Sequence, residues 1–312
     1  MHSSRISIYL KLSSFIIFFS SGVFSNTSFP GMDIFTSSPN ISMGGAGYLK
    51  PSPLSSNINP SISGGRVFSA SIIKYPAGIA SQNIGISLLF KNNTFGKFSI
   101  NNISYGTFEG YNENLIPTGT YSASDTKISA SYGRRMFGLP IKVGVQSSFY
   151  FSNYEDYTFN IFSFSTGLSF RAKEEKFTLG MSLHDLATSS HDLVVDLRPR
   201  LVISGSKKLK HLPLSLFLDL TSENNSDLTL FIGGEFDINK NFQFRLGSSN
   251  RKFNQNIKKD IFSSVIGASG FGFGYKKKDI LINYGIYMFG TGALSQSMEI
   301  NIAIWKFYFV FL

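Results

Sequence analysis

From residue 65 onwards apolar and polar positions alternate along the chain. Ile84, Ile86, Leu88 and Phe90 share one face of an extended segment, and Val143, Val145, Phe149 and Phe151 share another. Phe162, Phe164, Leu168 and Phe170 do the same, and Phe177, Leu179, Met181 and Leu183 alternate with Thr178, Gly180, Ser182 and His184. Apolar residues at period 2, punctuated by Gly, Pro, Asn and Asp, mark half-buried antiparallel strands. Further runs fall at Val67–Tyr75, Phe98–Phe108, Ile128–Tyr132, Leu201–Ser204, Leu214–Leu220, Leu228–Ile238, Phe242–Leu246, Phe271–Tyr275, Ile280–Met288 and Met298–Ile304. The pattern predicts about fourteen strands and no helix of any length.

The links between these runs carry a second signal. Short polar turns fall at Lys91–Gly96, Gly133–Leu139, Arg171–Lys176, Asp237–Asn241 and Tyr275–Asp279. Longer links lie mostly between them, at Glu109–Asp125, His184–Asp196, Thr221–Asp227, Ser248–Asp260 and Phe289–Ser297. In Ile103–Arg135 the alternation stops near Phe108 and resumes at Thr126, with Ile128, Ala130 and Tyr132 opposite Lys127, Ser129 and Ser131. That stretch predicts two long strands joined by a long ordered loop. Short turns at one end and longer loops at the other describe an up-and-down outer-membrane barrel. The competing architecture is a soluble sandwich or lipocalin-like barrel.

Composition separates the two. Charged residues make up 15% of the chain, against about 25% in soluble domains, while 32 Phe and 14 Tyr bring aromatics to 15%. Something other than water covers much of such an exterior. No apolar run of helical-span length follows residue 25, and in lipid only a closed barrel pairs every backbone group of a sheet. The expected fold is therefore all-β, a transmembrane antiparallel up-and-down barrel of about fourteen strands with an N-terminal irregular, plug-like segment. An aromatic end, Trp305–Leu312 (WKFYFVFL), suits a last strand of such a barrel.

Residues 1–25 place His2, Arg5 and Lys11 before a short apolar core around Phe15–Phe19 and end in Val23-Phe24-Ser25. This is the layout of a secretory signal peptide, with export to the bacterial outer membrane as its consequence. Residues 26–64 are rich in Ser, Asn, Pro and Gly and lack periodicity, and 65–312 form the barrel. Within 26–64, Gly44 and Gly45 sit in a Gly-rich run (SMGGAG) and Asn59-Pro60 in NINPS. No Lys-Ser/Thr pair or strand–loop–helix context makes the run a phosphate loop, so it is read as close packing and turns.

The formal charge is +10, but Lys and Arg are scattered over turns and form no nucleic-acid module. An anionic membrane surface or glycolipid answers to the excess equally well. The absence of Cys removes disulfides and thiolate metal sites. His184-Asp185 and His191-Asp192, with Ser189 and Ser190, invite a catalytic or metal reading. Their spacing matches no nucleophile elbow and no familiar metal site, so a solvated loop is expected. Glu155 and Asp156 are read as a charged hairpin tip. No catalytic, cofactor or metal residue is assigned.

The wording of the strands adds a resemblance. SMGGAG at 42–47 followed by NINPS at 57–61 resembles the N-terminal signature of the PorV/PorQ family, relatives of the FadL fatty-acid transporters. Tyr105-Gly106-Thr107-Phe108 running into Thr118–Asp125 (TGTYSASD) resembles the PorQ branch. So do 199–213, 232–236, 282–297 and the chain length. The chain departs at Ser61-Ile62, where the family has Ala-Leu, and at Ala293–Ser297, where it has a Ser-Asn-His or Thr-His pattern. The resemblance implies a non-catalytic scaffold of the type IX secretion system, in the attachment complex that trims cargo and joins it to lipopolysaccharide. Its expected partners are PorZ-like, PorU-like and PorV-like proteins, outer-membrane lipid and lipopolysaccharide. Tyr111, Tyr121, Tyr154 and Tyr157 are the expected interface anchors, because loops on rigid scaffolds carry recognition and aromatics anchor it. The alternative is a FadL-like passage for hydrophobic molecules, with 26–64 as its plug.

Overall fold

The computed structural model describes residues 35–304, apart from 55–56, 92, 113, 137, 155–156, 173–175, 190–198, 224–227, 256–266 and 290–292. The leader, His191, Asp192, Glu155, Asp156 and the aromatic end at 305–312 lie outside the described residues, as do the side chains of Tyr157 and Ser189. The strands run in chain order: β1 Val67–Lys74, β2 Ala80–Leu89, β3 Thr94–Tyr111, β4 Pro117–Arg135, β5 Ile141–Tyr154, β6 Tyr157–Ala172 and β7 Phe177–Ser189. They continue with β8 Arg200–Lys208, β9 Leu214–Glu223, β10 Thr229–Asp237, β11 Phe242–Ser249, β12 Ser269–Lys277, β13 Ile280–Met288 and β14 Leu294–Ala303. Each pairs antiparallel with its neighbours, and β1 closes on β14 from Val67↔Ala303 to Lys74↔Gln296. Closure removes the open edges that an unpaired sheet would present to lipid.

The alternation sorts the residues inside out relative to a soluble protein. Ile72, Ile84, Phe98, Ile203, Leu218, Ile232, Leu246, Phe271 and Met298 are exposed on the outer wall. The opposite face is buried and polar, with Ser71, Ser81, Asn83, Ser99, Asn101, Ser129, Gln146 and Ser148. These bond across strands: Asn101 Nδ2 donates to Asn83 Oδ1 at 2.9 Å, Asn83 Nδ2 to Ser71 Oγ at 3.1 Å, and Ser131 Oγ to Gln146 Oε1 at 2.9 Å. An apolar belt over a polar lumen is the arrangement of a transmembrane barrel.

The lumen is occupied by residues 35–54 and 57–64, whose Ile41, Met43, Ala46, Leu49, Leu54 and Ile58 are buried. This plug contains one helical turn, α1 (Ser38–Ser42), capped by the Ser37 side chain and opened by Pro39. A second short helix, α2 (Arg251–Gln255), follows β11.

One expectation fails. The segment 109–125 is strand rather than loop, with Glu109↔Thr120 and Phe108↔Tyr121 paired and only 112–116 left as the link. A bulge between Ser104 and Gly106, with Gly106 at φ +100°, lets β3 continue past the top of β2. β3 to β6 have 18, 19, 14 and 16 residues, whereas roughly 10 tilted residues cross a bilayer. The excess raises a wall about 20 Å above the membrane. Both faces of that wall meet water, so its residues carry no apolar stripe to read as strand.

Candidate functional site

The site is the plugged lumen and its two mouths. At plug level the inward positions of many strands are glycine, and a Cβ there would enter the plug backbone. At Gly144 it would meet the Pro60 carbonyl, at Gly247 that of Met43, at Gly270 that of Ile41 and at Gly85 that of Pro53. Glycine inside a strand marks such close approach. The singled-out plug residues sit at this contact. A Cβ at Gly45 would meet the Phe231 ring, and Gly44 packs on the Gly247–Ser248 backbone. Asn59 is buried and wedged between β6 and β7, its Nδ2 donating to the carbonyls of Leu168 and Met181 at 3.0 and 3.1 Å. Its Oδ1 accepts from the Ser61 N–H at 2.9 Å, which turns the chain around Pro60.

Carboxylates from the wall hold the plug backbone. Asp219 accepts from the N–H groups of Gly47 and Tyr48 at 2.7 and 3.4 Å, and Glu299 from that of Ser38 at 2.8 Å. Glu235 Oε2 accepts from Lys50 Nζ of the plug and Arg245 Nε of the wall, each at 2.5 Å, while Arg245 Nη1 donates to Asn283 at 2.9 Å. Ionised acceptors make the stronger hydrogen bonds in a water-poor interior.

A second charged cluster corrects the reading of His184 and Asp185 as part of a solvated loop. Both lie in β7 and both are buried facing the lumen. A bulge there, with Asp185 at φ +59° and its N–H donating to Ser165 Oγ at 3.1 Å, turns two successive side chains inward. The Asp185 carboxylate meets Arg200 at 3.1 Å and Lys127 at 3.7 Å and accepts from the Tyr150 hydroxyl at 3.0 Å. Arg200 also donates to Asn57 of the plug at 3.3 Å. His184 Nε2 lies 2.8 Å from Ser182 Oγ and is edge-on to Tyr48. That Ser–His pair is sealed between wall and plug, so it packs rather than attacks.

The outer mouth, on the side of the raised wall, is apolar. Phe35, Tyr75 and Phe289 pack on Ile41, Ile73 and Tyr287, and the Tyr75 hydroxyl donates to the Phe35 carbonyl at 3.1 Å. On the raised wall, Asp125 accepts from the hydroxyls of Tyr105, Tyr154 and Ser152. Tyr105 stacks on Tyr154, and Phe108 on Tyr121. Tyr111, Tyr121 and Tyr154 lie on this wall, in β3, β4 and β5. The tip beyond them is apolar: Leu115 is 80% and Ile116 57% exposed, in a turn built on Asn112 Oδ1 accepting from Asn114 and Ile116.

The inner mouth, where the short turns and both barrel ends lie, holds a cavity of about 690 Å³ between plug and wall. Leu49 and Ile62 of the plug and Phe95 and Phe217 of the wall line it together with basic side chains.

Most of these residues escaped the sequence reading. Asp219, Glu235, Arg245 and Glu299 each interrupt the polar side of an alternating strand, as in Leu218-Asp219-Leu220 and Leu246 after Arg245. A charge on the lumen face of a predicted barrel strand is the signal that would have found them. Leu115-Ile116, an apolar pair in an otherwise polar stretch, is the signal that would have found the tip.

No family model matches the sequence, and no curated protein matches it. Solved structures do match the fold. The P. putida toluene transporter TodX aligns at a TM-score of 0.53 with 8% identity, over 88% of this chain and 100% of that one. A Pseudomonas aeruginosa FadL homologue aligns at 0.54 with 11% identity, over 88% and 99%. The TodX monoaromatic hydrocarbon channel deltaS2 mutant gives 0.51 with 12%, over 88% and 98%. At such identities the likeness is one of fold: a closed antiparallel β-barrel like those of these FadL-family structures. By their names, one of these neighbours is a toluene transporter and another a monoaromatic hydrocarbon channel.

Proposed function

We propose that this barrel is a plugged passage through the outer membrane for small hydrophobic molecules. The observation that carries the reading is the sequence of environments along the lumen. Phe35 of the plug forms an apolar collar with Tyr75, Tyr287 and Phe289 at the outer end, and a partly apolar cavity of about 690 Å³ lies between plug and wall at the inner end. That volume is in the range of small-molecule sites. The FadL-type fold, shared with a toluene transporter and a monoaromatic hydrocarbon channel, supports the same reading. Between the two ends the plug is bonded to Asp219, Glu235 and Glu299 and packed on the strand glycines, so passage requires the plug to shift.

The test is uptake of radiolabelled toluene by outer-membrane vesicles with and without the protein. A rate several-fold above empty vesicles, raised further by deleting 35–64 in a barrel that still folds, is the expected result. Equal rates in all three preparations would sink the reading.

A scaffold role in cargo attachment by a type IX secretion system is the second reading, and one feature favours it. The raised wall ends in the exposed Leu115-Ile116 tip, with Tyr111 exposed beside it, and an apolar tip on a rigid arm is what a protein partner would grip. On this reading PorZ-like, PorU-like or PorV-like proteins co-purify with the tagged barrel in mild detergent. Leu115→Asp with Ile116→Asp abolishes their recovery.

A further inference from the structure

We infer that the cavity at the inner mouth binds the phosphate head of an amphiphile. It is lined by Arg135, Lys142, Arg171, Lys176, Lys207 and Lys208, and no described residue lining it is acidic. Lys208 is neutralised by Asp237 at 2.9 Å. Among the described residues the Arg135 side chain donates to the Leu139 carbonyl at 3.2 Å, and Lys142 lies 3.5 Å from Ser63 Oγ and over the Phe95 ring. Several like charges are thus gathered around one space of about 690 Å³, and among the described residues that line it none is a carboxylate; Asp237, outside the lining, pairs with Lys208 alone among them.

Their arrangement follows from the fold. Arg135 ends β4, Lys142 opens β5, Arg171 lies near the end of β6 and Lys176 precedes β7. These sit on the lumen side of adjacent strands, so the turns converge their side chains on one mouth. Mutual repulsion is tolerated at the wet rim, where it is screened, and it is relieved by an anion.

The number of cations selects the ligand. A single carboxylate is satisfied by one or two cations, whereas a phosphate monoester carries up to two negative charges and several acceptor oxygens. The other wall of the cavity is apolar, with Leu49, Ile62, Phe95 and Phe217. A free phosphate would have no use for that surface; a phosphate on an acyl chain would cover it. The inference stands whether or not material crosses the plug, because it concerns binding at one mouth.

Purified protein in an uncharged detergent would be titrated with dihexanoyl phosphatidic acid, dihexanoyl phosphatidylcholine and inorganic phosphate by calorimetry. Phosphatidic acid is expected to bind at least about tenfold tighter than either alternative. Lys142→Gln with Arg171→Gln should weaken it by a similar factor. Lys276→Gln with Lys277→Gln, on β12 away from the cavity, should leave it unchanged. Folding of each variant is checked by heat-dependent gel mobility. Inorganic phosphate binding as tightly would give the cations to a free anion and overturn the inference. So would equal affinity for phosphatidylcholine, or no loss in the Lys142/Arg171 variant.

Discussion

Glu235→Gln is the sharpest probe of how the plug is held. The substitution keeps the size of the side chain and removes its charge. Lys50 Nζ and Arg245 Nε each lie 2.5 Å from the same Glu235 oxygen, and the Arg245 side chain is fully buried. The two cations therefore stand within about 5 Å of each other, and at an effective dielectric of ~20 their unrelieved repulsion is about 3 kcal/mol. Breaking a buried pair from one side costs about 3–5 kcal/mol in general, which agrees. Equilibrium urea unfolding in detergent, followed by far-UV circular dichroism, should show a loss of about 3 kcal/mol. Adding Lys50→Met should recover at least half of it, since Arg245 keeps Asn283 and Gln243 at 2.9 and 2.7 Å. A loss under about 1 kcal/mol, or no recovery in the double variant, would mean that water screens these charges and that Glu235 is not what ties plug to wall.

The glycine contact predicts a contrast between two small changes. Gly247→Ala drives a methyl into the Met43 carbonyl and should cost about 1–3 kcal/mol, with faster protease cleavage within 35–64; Gly205→Ala, whose Cβ meets only Leu179 at 3.9 Å, should be near neutral. Asp185→Asn should cost about 3–5 kcal/mol by urea unfolding, because Arg200 and Lys127 lose their shared carboxylate. Leu115→Asp should leave stability within about 0.5 kcal/mol, as an exposed tip does, so any loss of partner recovery in a pull-down would report on docking alone.

The strand number, their antiparallel order and the side of each that meets lipid were present in the chain itself. Period-2 alternation is a local property, and a lipid exterior demands it at every crossing, so Phe177-Thr178-Leu179-Gly180 already declares which way each residue points. The glycines of Gly144, Gly247 and Gly270 were visible too, but not what they make room for. Two things belonged to the tertiary structure alone. The raised wall of β3 to β6 was hidden because, beyond the bilayer, neither face needs to be apolar, and residues such as Thr118–Asp125 then look like loop. The partnerships of charge were hidden because closure of the barrel and entry of the plug create them across great separations. Lys50 meets Glu235, Ser38 meets Glu299 and Asp219 meets Gly47, and nothing local to either member marks its partner. A strand's pattern records the solvent it crosses; which lumen charges face one another is decided only when the sheet closes around the chain that fills it.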